Sequence, residues 1–153
     1  MSARESSRPI EILFVEDNPG DVRLVVDIFK ESKMPNHLTV AEDGEKALDI
    51  LHRRGQYAQS AQPDLILLDL NLPKKDGRQV LSEIKNIHGL KHIPVVVLTT
   101  SQSEEDVLKS YELHANCFIT KPYELERFIS VIRMIEDFWF SVVRLPTLYN
   151  TLL

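Results

Sequence analysis

The run from Asp64 to Pro73, DLILLDLNLP, constrains the fold more than any other stretch of the chain. It is apolar on both sides, so it reads as a strand buried between two helical layers rather than an alternating surface strand. It delivers one carboxylate, Asp69, and then breaks into a polar loop containing Asn71, Pro73 and Gly77. A charge at the end of a buried strand is costly unless that end opens to water or to a cation. Asp69 is therefore expected at the carboxyl edge of a central parallel strand, where open α/β sheets bind ligands. The alternative is a surface aspartate that starts a turn, and the stretch alone does not choose between them.

The rest of the chain supplies the layers. Strands are predicted at Ile10 to Val15, Leu38 to Ala41, Ile93 to Leu98 and Cys117 to Thr120. Between them lie amphipathic patterns: Val22, Val25, Val26 and Phe29; then Ala47, Leu48 and Leu51, stopped by Gly55; then Val80, Leu81, Ile84 and Ile87, closed by Gly89; then Val107, Leu108 and Tyr111. Asn18 with Pro19, and Ser103 followed by acidic residues, are helix starts. Asn116 is expected to take the left-handed turn that ends the fourth helix. A last helix runs from about Glu124 to Phe140, with Leu125, Phe128, Ile129, Ile132 and Ile135 as its inward stripe. Strand and helix alternate five times. This predicts an α/β, flavodoxin-like (βα)5 fold: a five-stranded parallel sheet of order 2-1-3-4-5 with helices on both faces. Residues 1–8 are expected to be disordered, 9–140 to form the domain, and 141–153 to form a C-terminal extension.

Charge and composition narrow the function. The formal net charge is −5, with no basic run, which argues against a nucleic-acid surface. There is no secretory leader and no apolar run long enough to span a bilayer, and the single Cys117 suits a reducing compartment. A cytoplasmic protein without a membrane or nucleic-acid partner is expected.

The predicted strand ends carry Glu16 and Asp17, Asp69 and Asn71, Thr99 and Thr100, and Lys121. In this fold those ends share one edge, so residues a hundred positions apart converge. Three carboxylates that close raise one another's pKa, and a cation resolves the repulsion without protonation. Hard oxygen donors select Mg²⁺, with Mn²⁺ as a substitute. Asp17 and Asp69 would bind directly, Glu16 through water, and the Asn71 backbone carbonyl is well placed as a further ligand. A metal, a lysine, a carboxylate nucleophile at Asp69 and a hydroxyl donor at Thr99 suit phosphoryl transfer.

Glu16-Asp17, Asp69, Thr99 and Lys121-Pro122 resemble the signature of the response-regulator receiver domain, over residues 10 to about 140. The resemblance implies that Asp69 accepts a phosphoryl group from the phosphohistidine of a sensor histidine kinase. It implies Mg²⁺ held by Asp17, Asp69 and the Asn71 carbonyl, and phosphoryl oxygens contacted by Thr99 and Lys121. It also implies a cis Lys121–Pro122 bond and a switch in which Thr99 moves and Phe118 rotates inward. On this reading the chain is not a turnover enzyme beyond its own phosphorylation and slow autodephosphorylation. The segments LNLPKKDGR, IPVVVLTTS and SYELHANCFITKP, with the FW…LP tail, resemble the small regulators paired with cyanobacterial phytochromes. Thr100 stands where many receivers have alanine, so it is a candidate modulator of phosphoryl lifetime, as is Asn71.

Three other functions compete. A haloacid-dehalogenase-type aspartyl-phosphate phosphatase needs a second aspartate where Asn71 stands. A flavodoxin-like nucleotide binder needs Gly, Ser or Thr where the first loop carries acids. A degenerate receiver could serve as a scaffold. Apolar residues on more than one side of the last helix, Val131, Met134, Phe138, Trp139 and Phe140, favour a homodimer through that helix and the tail; the alternative is a tail folded onto its own domain. The five histidines show no metal spacing, and Cys117 reads as a small buried hydrophobe.

Overall fold

The computed structural model describes residues 8–146. Five strands, β1 (Ile10–Val15), β2 (Asn36–Ala41), β3 (Leu65–Leu68), β4 (Val95–Thr99) and β5 (Cys117–Thr120), form one sheet of order β2-β1-β3-β4-β5. Every pairing is parallel. The helices are α1 (Pro19–Lys30), α2 (Gly44–Leu51), α3 (Gly77–Asn86), α4 (Glu104–Glu112) and α5 (Leu125–Glu136). The flavodoxin-like order expected for the chain is the one observed.

Strand alternation sends successive side chains to opposite faces, and the central strands are apolar on both. Leu13, Val15, Ile66, Leu68, Val95 and Val97 pack with α2 and α3, whereas Ile12, Phe14, Leu65, Leu67, Val96 and Leu98 pack with α1 and α5. Four helices open on a side-chain cap. Asn18 accepts from the Asp21 amide (3.0 Å), Asp43 from Lys46 (2.7 Å), Asp76 from Arg78 (3.0 Å) and Ser103 from Asp106 (3.2 Å).

Several local expectations change. Gly55 does not stop α2, which ends at Leu51; Arg53 takes the left-handed turn (φ 55°), and Gly55 opens a short 3-10 turn through Tyr57. His114 (φ 72°), not Asn116, is left-handed after α4, because the Asn116 side chain is used otherwise: its Oδ1 accepts from the Val95 amide at 2.8 Å. Leu108 and Tyr111 are exposed. The inward face of α4 runs one position earlier, through Val107 and Ser110. Leu125 is exposed too, and the buried stripe of α5 begins at Phe128. The last helix is not α-helical to Phe140: after Glu136 the chain winds into a π-helical turn, Asp137–Val142. That wider turn brings Phe140 inward against Phe29, ring centroids 5.1 Å apart at 59°. Arg8 is ordered by an ion pair to buried Asp64 at 3.2 Å. The remainder of the expected disordered N-terminus, residues 1–7, and most of the C-terminal extension, residues 147–153, lie outside the described residues. Among the described residues no helix is long and apolar enough to cross a membrane.

Candidate functional site

Backbone hydrogen bonds carry the sheet one residue past its strands and fix the site at its carboxyl edge. The Glu16 amide donates to the Ala41 carbonyl (2.9 Å), Asp69 to Val15 (3.1 Å) and Lys121 to Thr99 (2.7 Å). Each of these residues follows directly on a strand, and each is anchored by a neighbouring one. The loop after Asp69 is held by two devices. The Asn71 amide donates back to Asp69 Oδ1 at 3.3 Å. Gly77 lets α3 start against that loop, since a Cβ there would lie 2.2 Å from the Asp69 carbonyl oxygen.

The expected residues meet. Carboxylate oxygens of Glu16, Asp17 and Asp69 lie within 4.8 Å of one another, with Glu16 and Asp69 buried and Asp17 exposed. Lys121, 7% exposed, hydrogen-bonds Glu16, lies 2.9 Å from Asp21 Oδ2 and sits 3.5 Å from Asp69 Oδ2. Thr99 is fully buried, and its hydroxyl oxygen is 3.5 Å from the Ser101 amide. Thr100 is exposed at the rim of the site. Phe118 is half-buried against the α2–α3 side of the sheet, and its amide donates to the Tyr111 hydroxyl at 3.2 Å.

Burial pushes the Glu16 carboxyl up to about 7; the neighbouring Asp69 charge adds to the rise, and the Lys121 hydrogen bond opposes it. Burial pulls Lys121 down, but its hydrogen bonds to Glu16 and Asp21 outweigh this and hold its ammonium above the ordinary lysine value. One lysine is shared by three carboxylates, Glu16, Asp21 and Asp69, and Asp17 adds a fourth negative group beside Glu16 and Asp69. The donors are hard oxygens, and the group that opens to water is Asp17, which has no ion pair among the described residues. This arrangement fits a divalent cation.

Two points depart from expectation. The Lys121–Pro122 bond is trans. An X-Pro bond favours trans intrinsically by about 0.5–1 kcal/mol, and Lys121 reaches all three carboxylates with it. Asp21, assigned from sequence only to the positive end of α1, is a direct partner of Lys121. Its one sequence signal is its place in the first helical turn after the acidic pair.

Residues 12–133 match the profile of the response regulator receiver domain. The chain is 51% identical over 142 residues to the response regulator Rcp1 of Synechocystis sp., covering 93% of this chain and 97% of that protein. The crystal structure of the Mn²⁺-bound form of Rcp1 superposes with a TM-score of 0.89, covering 90% of this chain and 99% of that one. The crystal structure of the phosphorylated cyanobacterial phytochrome response regulator RcpA does so with a TM-score of 0.89 at 48% identity, covering 91% and 99%. With its acidic cluster, buried threonine and lysine gathered at the carboxyl edge of a 2-1-3-4-5 sheet, the chain belongs to the response-regulator receiver family.

Proposed function

We propose that this receiver accepts a phosphoryl group on Asp69 from the phosphohistidine of a cytoplasmic sensor kinase, and that the kinase is a phytochrome. The observation that carries the acceptor assignment is Lys121, held 3.5 Å from Asp69 Oδ2 and shared with Glu16 and Asp21. The phytochrome pairing is supported by the 48% identity to RcpA, which is described as a phytochrome response regulator.

An Asp69 carboxylate oxygen attacks phosphorus, the phosphorus–nitrogen bond breaks, and the histidine leaves as imidazole, taking a proton from solvent. When bound, Mg²⁺ or Mn²⁺ neutralises charge on the transferring phosphoryl oxygens. Asp17, Asp69 and the Asn71 carbonyl would hold it, with Glu16 acting through water. Lys121 turns from Glu16 and Asp21 toward the phosphoryl oxygens, and Thr99 donates its hydroxyl proton to one of them. The new group adds close to two negative charges. Thr99 follows that charge, and Phe118 moves into the space left, so the α4–β5–α5 surface shifts between two populated packings. Turnover is limited to this transfer and slow hydrolysis. Exposed Thr100 shields the product from water, so Thr100→Ala shortens the phosphoryl lifetime severalfold, read by mass after donor removal.

Output is protein contact. Met134, Phe138 and Val142, 62%, 49% and 70% exposed, form an apolar stripe along α5 and the π-helical turn that stays open among the described residues, which supports a homodimer through that face. Phe138→Lys would then yield a monomer by sedimentation. The acceptor assignment is tested by intact mass after incubation with acetyl phosphate, with and without Mg²⁺. A Mg²⁺-dependent gain of one phosphoryl group, absent in Asp69→Asn, is expected; equal gain in the variant refutes it.

A further inference from the structure

One guanidinium ties together the two loops that border Asp69. Arg78, in the first turn of α3, donates from Nε to Asp106 Oδ1 at 3.0 Å, and its Nη2 lies 2.8 Å from Asp106 Oδ2. This is a bidentate pair, a geometry that lysine does not reproduce. The third nitrogen, Nη1, donates at 2.9 Å to Asp76, the cap at the end of the Asp69 loop. Asp106, in the first turn of α4, also accepts the Ser101 hydroxyl at 2.6 Å. Ser101 stands two residues past Thr99; its amide faces the Thr99 hydroxyl oxygen, and its carbonyl accepts from the Thr120 hydroxyl at 3.1 Å.

A continuous path therefore runs from the loop behind Asp69, through Arg78 and Asp106, to the residue that engages Thr99. The path is charged along its middle. The Ser101 hydroxyl and Arg78 hold the Asp106 carboxyl below its ordinary value. Burial opposes the Arg78 charge, but the Asp106 and Asp76 partners outweigh it.

We infer that Arg78 is a positioning residue: through Asp106 and Ser101 it holds Thr99 in the unphosphorylated arrangement and resists its movement toward the phosphoryl group. This rests on Asp69 being the acceptor. A shift of Thr99 drags Ser101 with it. Ser101 is bonded to a carboxylate that is itself pinned to α3, so either the Ser101–Asp106 hydrogen bond breaks or α4 moves with the loop. Weakening the pin lowers the resistance.

The test uses beryllofluoride with Mg²⁺, a non-covalent mimic of the phosphoryl group, with binding followed by ¹⁹F NMR. Mg²⁺ affinity is measured separately. In R78A the beryllofluoride affinity is expected to rise about fivefold or more, the lower range of coupling between linked sites, with Mg²⁺ affinity unchanged. D106N is expected to behave alike, and R78K to fall between R78A and the parent protein. Unchanged or weaker beryllofluoride affinity in a cooperatively folded R78A overturns the inference, as does a parallel change in Mg²⁺ affinity. If R78A does not fold, D106N decides by the same criteria. A parent protein that binds Mg²⁺ but no beryllofluoride refutes the acceptor reading itself, and the inference with it.

Discussion

Strand β3 carries a buried aspartate at each end, and the fold treats them in opposite ways. Asp64, 1% exposed, accepts from the Glu11 amide at 2.8 Å and from Arg8 at 3.2 Å, so the chain itself satisfies it. Asp69, 6% exposed, stands beside two further carboxylates and shares its lysine with Glu16 and Asp21. The amino edge of the sheet is closed electrostatically, whereas the carboxyl edge is left in deficit. Residue type and burial are nearly the same at both ends; how many carboxylates share the one positive partner separates a structural carboxylate from a reactive one.

Exchanging each aspartate for asparagine breaks the symmetry most strongly. Asp69→Asn is expected to abolish phosphoryl gain while stabilising the metal-free fold by about 1–2 kcal/mol, because one repelling charge is removed. Asp64→Asn is expected to keep phosphoryl gain and to lose about 1–3 kcal/mol, the range for a buried hydrogen-bonded group deprived of its partner. Denaturant melts and intact mass read the two effects separately. Asp64→Asn that loses phosphoryl gain while still folded would erase the distinction.

Gly77→Ala probes the reactive end without touching a charge. Its Cβ would collide with the Asp69 backbone, costing about 1–3 kcal/mol as overpacking and displacing the acceptor. A melt unchanged from the parent protein would show that the loop yields freely.

Cation binding at the reactive end should depend on pH through Glu16. Its carboxyl holds a proton up to about 7, and a cation must displace that proton. Mg²⁺ affinity is expected to rise as pH increases toward 7 and to level off above it. Without metal the sign reverses for stability. A carboxyl raised in the fold makes the folded state the better proton binder between its ordinary value of 4.5 and about 7. Stability then falls across that window as pH rises. Titration calorimetry from pH 6 to 8 reads the first effect and melts read the second; Glu16→Gln should flatten both. The smallest effect is at the closed end. Arg8→Ala removes one partly exposed ion pair and should cost about 1 kcal/mol or less, with Mg²⁺ affinity unchanged.

The strands and the acidic cluster were legible because each depends on local pattern. Doubly apolar runs such as Leu65–Leu68 announce burial, and a polar residue directly after such a run announces an edge. Topology then brings Glu16, Asp69 and Lys121 together without any need to know their side-chain geometry. The contact of Asp21 with Lys121 was not legible, because it joins residues a hundred positions apart through one rotamer. The Arg78–Asp106 pair was hidden for the same reason. In α4, Leu108 and Tyr111 follow helical spacing as well as Val107 and Ser110 do. Hydrophobicity favours the wrong pair, and the packing of small Ser110 against the sheet overrides it. Asn116 has the propensity for a left-handed turn, but its side chain serves as acceptor for Val95, so the turn falls to His114.

The π-helical turn after α5 closes on an i to i−5 hydrogen bond, Val143 amide to Phe138 carbonyl at 2.9 Å. One residue more per turn resets the angular phase of everything downstream. A single-residue deletion between Asp137 and Val142 would restore ordinary winding and rotate the exit of the chain by about 100°. The composition would barely change, yet Phe140 would lose its contact with Phe29. The length of this segment, more than its chemistry, sets the direction of the chain at Val143.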